Sequence, residues 1–160
     1  MKQNDILDIF TYKDGELFWK KHRSKSRLGI PAGHINKHNR YLRIAVRGRL
    51  YYIHRLIYVM FNGDTENCID HIDRNTCNNT IENLRAVTHI ENMQNASPYT
   101  GGTSRFKGVS KHAGGKWKAS IRNSKKLIYL GLYVSEEEAA LAYDRAAEVL
   151  FGAHAYLNNP

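Results

Sequence analysis

The sequence has little cysteine, no long apolar run, and two long stretches without a single acid. Its two cysteines, Cys68 and Cys77, lack the C-x-x-C spacing of a zinc site, so a reduced, intracellular chain is expected. No run approaches the ~18 apolar residues of a membrane helix. The opening MKQNDILDIF has no signal-peptide anatomy, so no membrane partner is expected. Residues 17–63 hold eleven Lys and Arg and no acid, and residues 101–126 hold eight and again no acid. The acids collect in residues 1–16, in residues 64–91 and near the C-terminal end, within a net charge of +9. Two basic tracts flanking an acid-bearing centre suit a polyanion, for which counterion release dominates affinity.

A chain of 160 residues, 42% hydrophobic, can form one domain or two small ones. Residues 1–16 read as a short helical lead (Ile6, Leu7, Phe10) and a turn at Asp14-Gly15, with a strand beginning at Leu17. Residues 20–38 are basic and turn-rich. Residues 41–46 then alternate, with Leu42, Ile44 and Val46 on one face, and Arg47-Gly48-Arg49 turns the chain into a returning strand. Residues 54–61 are almost continuously apolar and predict a buried helix. His54 at its start reads chiefly as a packed structural histidine, with a contact to DNA or behind the site as the lesser reading. Residues 96–104 (ASPYTGGTS) form the clearest composition break, which predicts domains at 1–97 and 104–160 around a linker at 98–103.

The most informative stretch is 68–95. A short strand ends in Asp70-His71, and a polar loop rich in Asn follows. Asn83 and a second strand lead to a helix opened by Thr88, with Glu91 completing a capping box. Asp70 and Asn92 offer a carboxylate and an amide oxygen, hard donors suited to Mg²⁺ or Mn²⁺, and the His71 imidazole can take a proton from water. The order Asp-His, eleven residues, Asn, eight residues, Asn resembles the HNH endonuclease motif in the form found in phage homing endonucleases. His54-Arg55-Leu56, Asn78-Asn79 and Glu82-Asn83-Leu84-Arg85 are similar to that family's HRL, NN and NLR segments. The resemblance implies a ββα-metal fold around one divalent cation, Mg²⁺ or Mn²⁺, with no small-molecule cofactor. It makes His71 the general base and Asp70 and Asn92 the metal ligands, while Asn83 holds the loop and orients His71. Asn92 stands where other nucleases of the family place a histidine, which matches the homing-type variant.

Beyond the linker the pattern changes. Along residues 116–122, Trp117, Ala119 and Ile121 alternate with Lys116, Lys118, Ser120 and Arg122, a strand with an apolar back and a basic front. Phe106 and Val109 both read as core although three apart, which predicts a bulge at Gly108. Residues 127–133 supply a third strand. Ser135 and Glu138 form a second capping box, and the helix it opens runs to Phe151 with an alanine-rich stripe that can lie close on a sheet. The segments FKGVS, KWKASIR, YLGLY and EEAALAYDRAAEVLFGAHAYLN resemble the ethylene-response-factor (Apetala-type) DNA-binding domain over residues 104–159. That family lays its sheet in the major groove, and the matching positions are Lys107, Ser110, His112, Ser120, Arg122 and Tyr129. Several of these differ from the plant residues, so the base preference does not carry over. Lys116 and Lys118 are expected on phosphates, and Arg122 is the candidate for base readout.

Together these features predict a two-domain α+β protein, a ββα-metal nuclease domain followed by a three-stranded antiparallel sheet packed on one helix. The combination resembles free-standing homing-type endonucleases of bacteriophages. It implies a monomer acting on double-stranded DNA in the cytoplasm of a bacterial host. The alternative is a non-catalytic DNA-binding regulator with a degenerate HNH scaffold, against which the intact Asp70, His71, Asn83 and Asn92 weigh.

Overall fold

The computed structural model describes residues 1–37, 40–99, 101–124 and 126–159. Its secondary structure is mixed α+β with antiparallel sheets throughout, as expected, and it divides into two compact units, Met1–Val87 and Thr88–Pro160.

In the first unit, helix α1 (Gln3–Ile9) leads into the hairpin of β1 (Phe10–Lys13) and β2 (Glu16–Trp19). Asp14 and Gly15 close it with φ of 48° and 82°, a left-handed pair that matches the twist of the strands. Strands β3 (His34–Ile35), β4 (Leu42–Val46) and β5 (Arg49–Tyr52) form an antiparallel sheet in that order. The chain passes straight from β5 into helix α2 (Ile53–Asn62), which Gly63 ends. Ile53, Leu56, Ile57, Val59 and Met60 of α2 share one core with Ile6, Phe10, Leu17 and Ile44. Ile69 and Leu84 join the same core from a second hairpin, β6 (Cys68–His71) paired with β7 (Leu84–Val87). The apolar helix is therefore the buried floor under this hairpin. Arg55 braces the approach to β6, donating from Nη1 to the Asn67 carbonyl at 2.7 Å and from Nη2 to the Thr65 carbonyl.

The second unit begins with helix α3 (His89–Asn95). Its capping box is formed: Thr88 N–H donates to Glu91 Oε2 at 2.7 Å, and Glu91 N–H donates to Thr88 Oγ1 at 3.3 Å. Strands β8 (Val109–Lys111), β9 (Trp117–Asn123) and β10 (Lys126–Tyr133) pair in the order β10-β9-β8, backed by helix α4 (Glu136–Phe151). Lys125 lies outside the described residues. Ala139, Ala140 and Ala147 are fully buried, and the small side chains let α4 lie close to Ala119 and Ile121 of β9. The second capping box forms as well, with Glu138 N–H on Ser135 Oγ at 3.1 Å.

Three details depart from expectation. The bulge lies in β10 between Tyr129 and Gly131, not at Gly108. Gly108 instead sits in left-handed backbone at the end of a turn, in which Val109 N–H reaches the Phe106 carbonyl at 3.4 Å, and this turn brings both side chains into the core. Trp117, expected in the core, is only half-buried at its rim. The division between units falls at Val87/Thr88, ahead of α3, whereas the composition break lies after it. The contacts responsible come from the C-terminal sequence: Tyr156 N–H donates to the Gln94 carbonyl, and Lys107 reaches the end of the same helix.

Candidate functional site

Hairpin β6–β7 sets Asp70 opposite Arg85 and His71 opposite Leu84. His71 is 3% exposed, and its Nε2 lies 2.9 Å from Oδ1 of Asn79, itself 2% exposed. The Asn79 amide nitrogen donates to the Cys77 carbonyl at 3.4 Å, which turns its oxygen toward the imidazole. An amide oxygen only accepts, so the proton of neutral His71 resides on Nε2 and Nδ1 carries the lone pair. This tautomer is the one a base needs if Nδ1 is to receive a proton.

Asn83 does half of what the resemblance assigns to it. Its Nδ2 donates to Asp73 Oδ1 and to the Asn78 carbonyl, both at 2.8 Å, and its Oδ1 accepts the Asp73 N–H at 3.0 Å. It holds the loop, while the amide seen hydrogen-bonded to the His71 ring is that of Asn79. The Asn78-Asn79 pair was visible in the sequence, but two adjacent amides give no local signal of which one turns inward. Asp73 is the hub of the loop. Burial would raise its carboxyl pKa, but hydrogen bonds from Asn78, the Asn75 backbone and Asn83, with His71 nearby, outweigh this and hold it below the usual carboxylate value.

Asp70 accepts from Arg85 through Oδ2, at 3.1 Å from Nε and 3.0 Å from Nη2, a cross-strand pair that sets the plane of the carboxylate. The Tyr41 phenol is held above its usual pKa by burial, then by the charge of Asp70 and by Tyr52. Tyr41 also completes a ring cluster around His54. The His54 ring centroid lies 5.0 Å from that of His71, 5.1 Å from Tyr41 and 5.6 Å from Tyr52. His54 is thus both buried and against the candidate base, so the packed reading and the supporting reading are the same contact. Its Nδ1 is buried, with no hydrogen-bond partner among the described residues. Burial, followed by His71 and Arg55, lowers its pKa from 6.5 to about 3.

That shift has a definite sign. Between about pH 6.5 and 3 the unfolded chain binds a proton at His54 that the folded chain does not, so acid favours unfolding across that window. Relative to His54→Phe, the wild-type first unit is expected to lose about 2 kcal/mol between pH 7 and pH 5, at about 1.4 kcal/mol per pH unit below 6.5. Denaturant unfolding at the two pH values measures this, and equal losses in both proteins would contradict it.

Asn92 lies half-buried in α3, with its N–H on the Thr88 carbonyl at 3.0 Å. Among the described residues no group of three or more His, Cys, Asp or Glu could hold a metal ion. The two residues that the resemblance assigns to a metal offer a single carboxylate, from Asp70, and an amide oxygen, from Asn92. That set suits Mg²⁺ or Mn²⁺, which bind through one or two side chains and complete their shell with water and substrate phosphate, and does not suit a closed structural site.

On the C-terminal sheet the register gathers most of the expected DNA-binding residues. Ser110 pairs with Lys118, Ser120 with Tyr129, and Arg122 with Leu127. Lys116, Arg122 and Tyr129 are exposed, and His112 stands beside β8 with Nδ1 3.1 Å from the Ala113 carbonyl. The front is less uniformly basic than its sequence suggests, because Leu127, Tyr129 and Leu132 are 56%, 61% and 40% exposed. Lys107 departs from the group. Its ammonium donates to the carbonyls of Met93, Gln94 and Ala96 at 3.0, 2.7 and 2.6 Å.

Comparison with known proteins agrees with both halves. Residues 51–94 match the family model described as HNH endonuclease. A mimivirus protein (Acanthamoeba polyphaga mimivirus) named as an uncharacterized HNH endonuclease is 36% identical over 109 residues, which covers 66% of this chain and 56% of that protein. Dehydration-responsive element-binding protein 2E of Arabidopsis thaliana is 44% identical over 66 residues, covering 35% of this chain and 27% of its own. APETALA2-like protein 2 of Oryza sativa subsp. indica is 44% identical over 72 residues, covering 44% of this chain and 16% of its own. The chain therefore spans about half of the viral relative and between 16% and 27% of the plant ones. No helix among the described residues is long and apolar enough to cross a membrane.

Proposed function

We propose that this chain, similar to HNH endonucleases over residues 51–94 and to Apetala-type proteins in its C-terminal part, is a metal-dependent endonuclease of the homing type. It hydrolyses phosphodiester bonds in double-stranded DNA and is targeted by its C-terminal sheet. The observation that carries the reading is the buried His71–Asn79 pair on a hairpin whose preceding residue is Asp70, inside the matched segment.

In this reading Nδ1 of neutral His71 accepts a proton from the water that attacks phosphorus in line. Asn79 Oδ1 keeps the other ring proton in place and stabilises the imidazolium as it forms. Arg85 holds Asp70 in orientation, and Asp70 and Asn92 are the residues that would hold one Mg²⁺ or Mn²⁺. An ion held there would supply stabilisation of the charge that builds up in the transition state. Asn83 and Asp73 maintain the loop that carries Asn79. The products carry 5′-phosphate and 3′-hydroxyl ends. The deciding experiment is a plasmid nicking assay with and without Mg²⁺ or Mn²⁺. Nicking that needs the ion supports the reading, and duplex binding without nicking at any ion concentration would favour a regulator.

Targeting divides by residue type. Arg122→Ala is expected to relax sequence preference at about 1–3 kcal/mol, the worth of a bidentate guanine contact. Lys118→Ala, removing a phosphate contact, weakens binding to all sequences alike and lowers the salt slope by about one counterion. Exposed Leu127 and Tyr129 add apolar contact of the kind that thymine methyl groups accept. Isotherms on preferred and scrambled duplexes at several salt concentrations separate these effects. Unchanged affinity and slope in both variants would remove the sheet as the reading surface.

A further inference from the structure

Helix α3 has 7 residues, fewer than a helix needs to be stable by itself in water. Its first turn is closed by Thr88 and Glu91. At its other end the Asn92 carbonyl accepts Ala96 N–H at 3.1 Å, and the carbonyls beyond it need donors from elsewhere. Three of them converge on one ammonium, that of Lys107, at 2.6 to 3.0 Å. Lysine has three donors, and all three are matched here, at the end of the helix where the dipole favours a cation. The Lys107 backbone is itself anchored. Its N–H donates to Asn158 Oδ1 at 2.7 Å and its carbonyl accepts Asn158 Nδ2 at 3.2 Å. Asn158 is held in turn by the buried carboxylate of Asp144 on α4, at 2.8 Å from its N–H and 2.9 Å from Nδ2. A continuous chain of bonds thus runs from α4 through Asp144, Asn158 and Lys107 to the last turn of α3.

Resting on the nuclease reading, we infer that Lys107 is a positioning residue for the metal ligand Asn92, which rides on the helix that Lys107 locks. It is not a phosphate contact. The C-terminal unit then supplies more than DNA recognition, because it fixes the helix that carries one of the two proposed ligands. A fragment ending at residue 97 would keep Asn92 but lose the groups that hold its helix.

The test uses the full chain with Lys107→Met, which keeps the apolar stem and removes the donors, and with Lys107→Arg. Hydrogen exchange is read at the Asn92 and Ala96 amides, Mn²⁺ binding by spin-resonance titration, and duplex binding at several salt concentrations. In Lys107→Met the two amides are expected to exchange about tenfold faster, equivalent to about 1.4 kcal/mol. Mn²⁺ affinity falls with them, duplex affinity and salt slope stay at wild-type values, and Lys107→Arg recovers part of the loss. Unchanged exchange in Lys107→Met overturns the inference. So does a uniform loss of duplex affinity, with the salt slope lower by about one and Mn²⁺ binding intact, since that is the signature of a phosphate contact. A wild-type chain that binds no Mn²⁺ and nicks no DNA overturns the nuclease reading itself, whatever the exchange shows.

Discussion

His71→Ala is expected to slow nicking by about 10²–10⁴-fold while leaving duplex affinity within twofold of wild type, the range that general-base catalysis supplies. The chemical step needs the Nδ1 lone pair, whereas docking on DNA does not. Alanine also leaves the buried Asn79 oxygen without its donor, at a cost of about 1–3 kcal/mol, so loss of folding has to be separated from loss of chemistry. His71→Gln does this, because its amide can donate to Asn79 but has no basic nitrogen. Both variants should fail to nick, and His71→Gln should melt near the wild-type temperature. Single-turnover nicking with duplex binding measured alongside checks the expectation. A wild-type rate in either variant would remove His71 as the base.

The second large effect concerns folding. Gly108 has φ of 75°, and a Cβ built there would lie 2.0 Å from Tyr143 Cδ2, 2.4 Å from its Cε2 and 2.6 Å from the Ser120 carbonyl oxygen. Tyr143 is 3% exposed, so the ring has little room to withdraw. The oxygen belongs to β9, in the central strand of the sheet. Gly108→Ala combines about 1–2 kcal/mol for a side chain in left-handed backbone with about 1–3 kcal/mol of overpacking. Gly114, in the same unit, has φ of 76° and nothing within 4 Å of its built Cβ. Gly114→Ala should therefore cost only the backbone part. Denaturant unfolding of the two variants is expected to differ by about 1–3 kcal/mol, with duplex binding lost first in Gly108→Ala. Equal stabilities would show that the Tyr143 ring yields to the methyl group.

Much of this molecule was legible in the sequence because its signals are local. Both capping boxes span four residues, the Asp14-Gly15 turn spans two, and the alternation in β9 repeats every second residue. These patterns report backbone preference and the side of an element that faces a core, which neighbouring residues determine among themselves. The spacing of Asp70, His71, Asn83 and Asn92 belongs to the same class, since it can be read along the chain before any fold is known. What only the tertiary structure decided lies between residues far apart or alike in kind. Asn79 meets His71 and Asn83 does not, because a hydrogen bond depends on which of several amides the loop turns inward, and their composition is identical. His54 lies against His71 because α2 is the floor of the hairpin, a contact between elements that no periodicity encodes. Lys107 looks like one more cation in an acid-free tract until Asn158, 51 residues away, fixes its backbone and the open carbonyls of α3 take its charge. Charge and alternation state what a side chain can do, and packing at a distance selects which partner it meets.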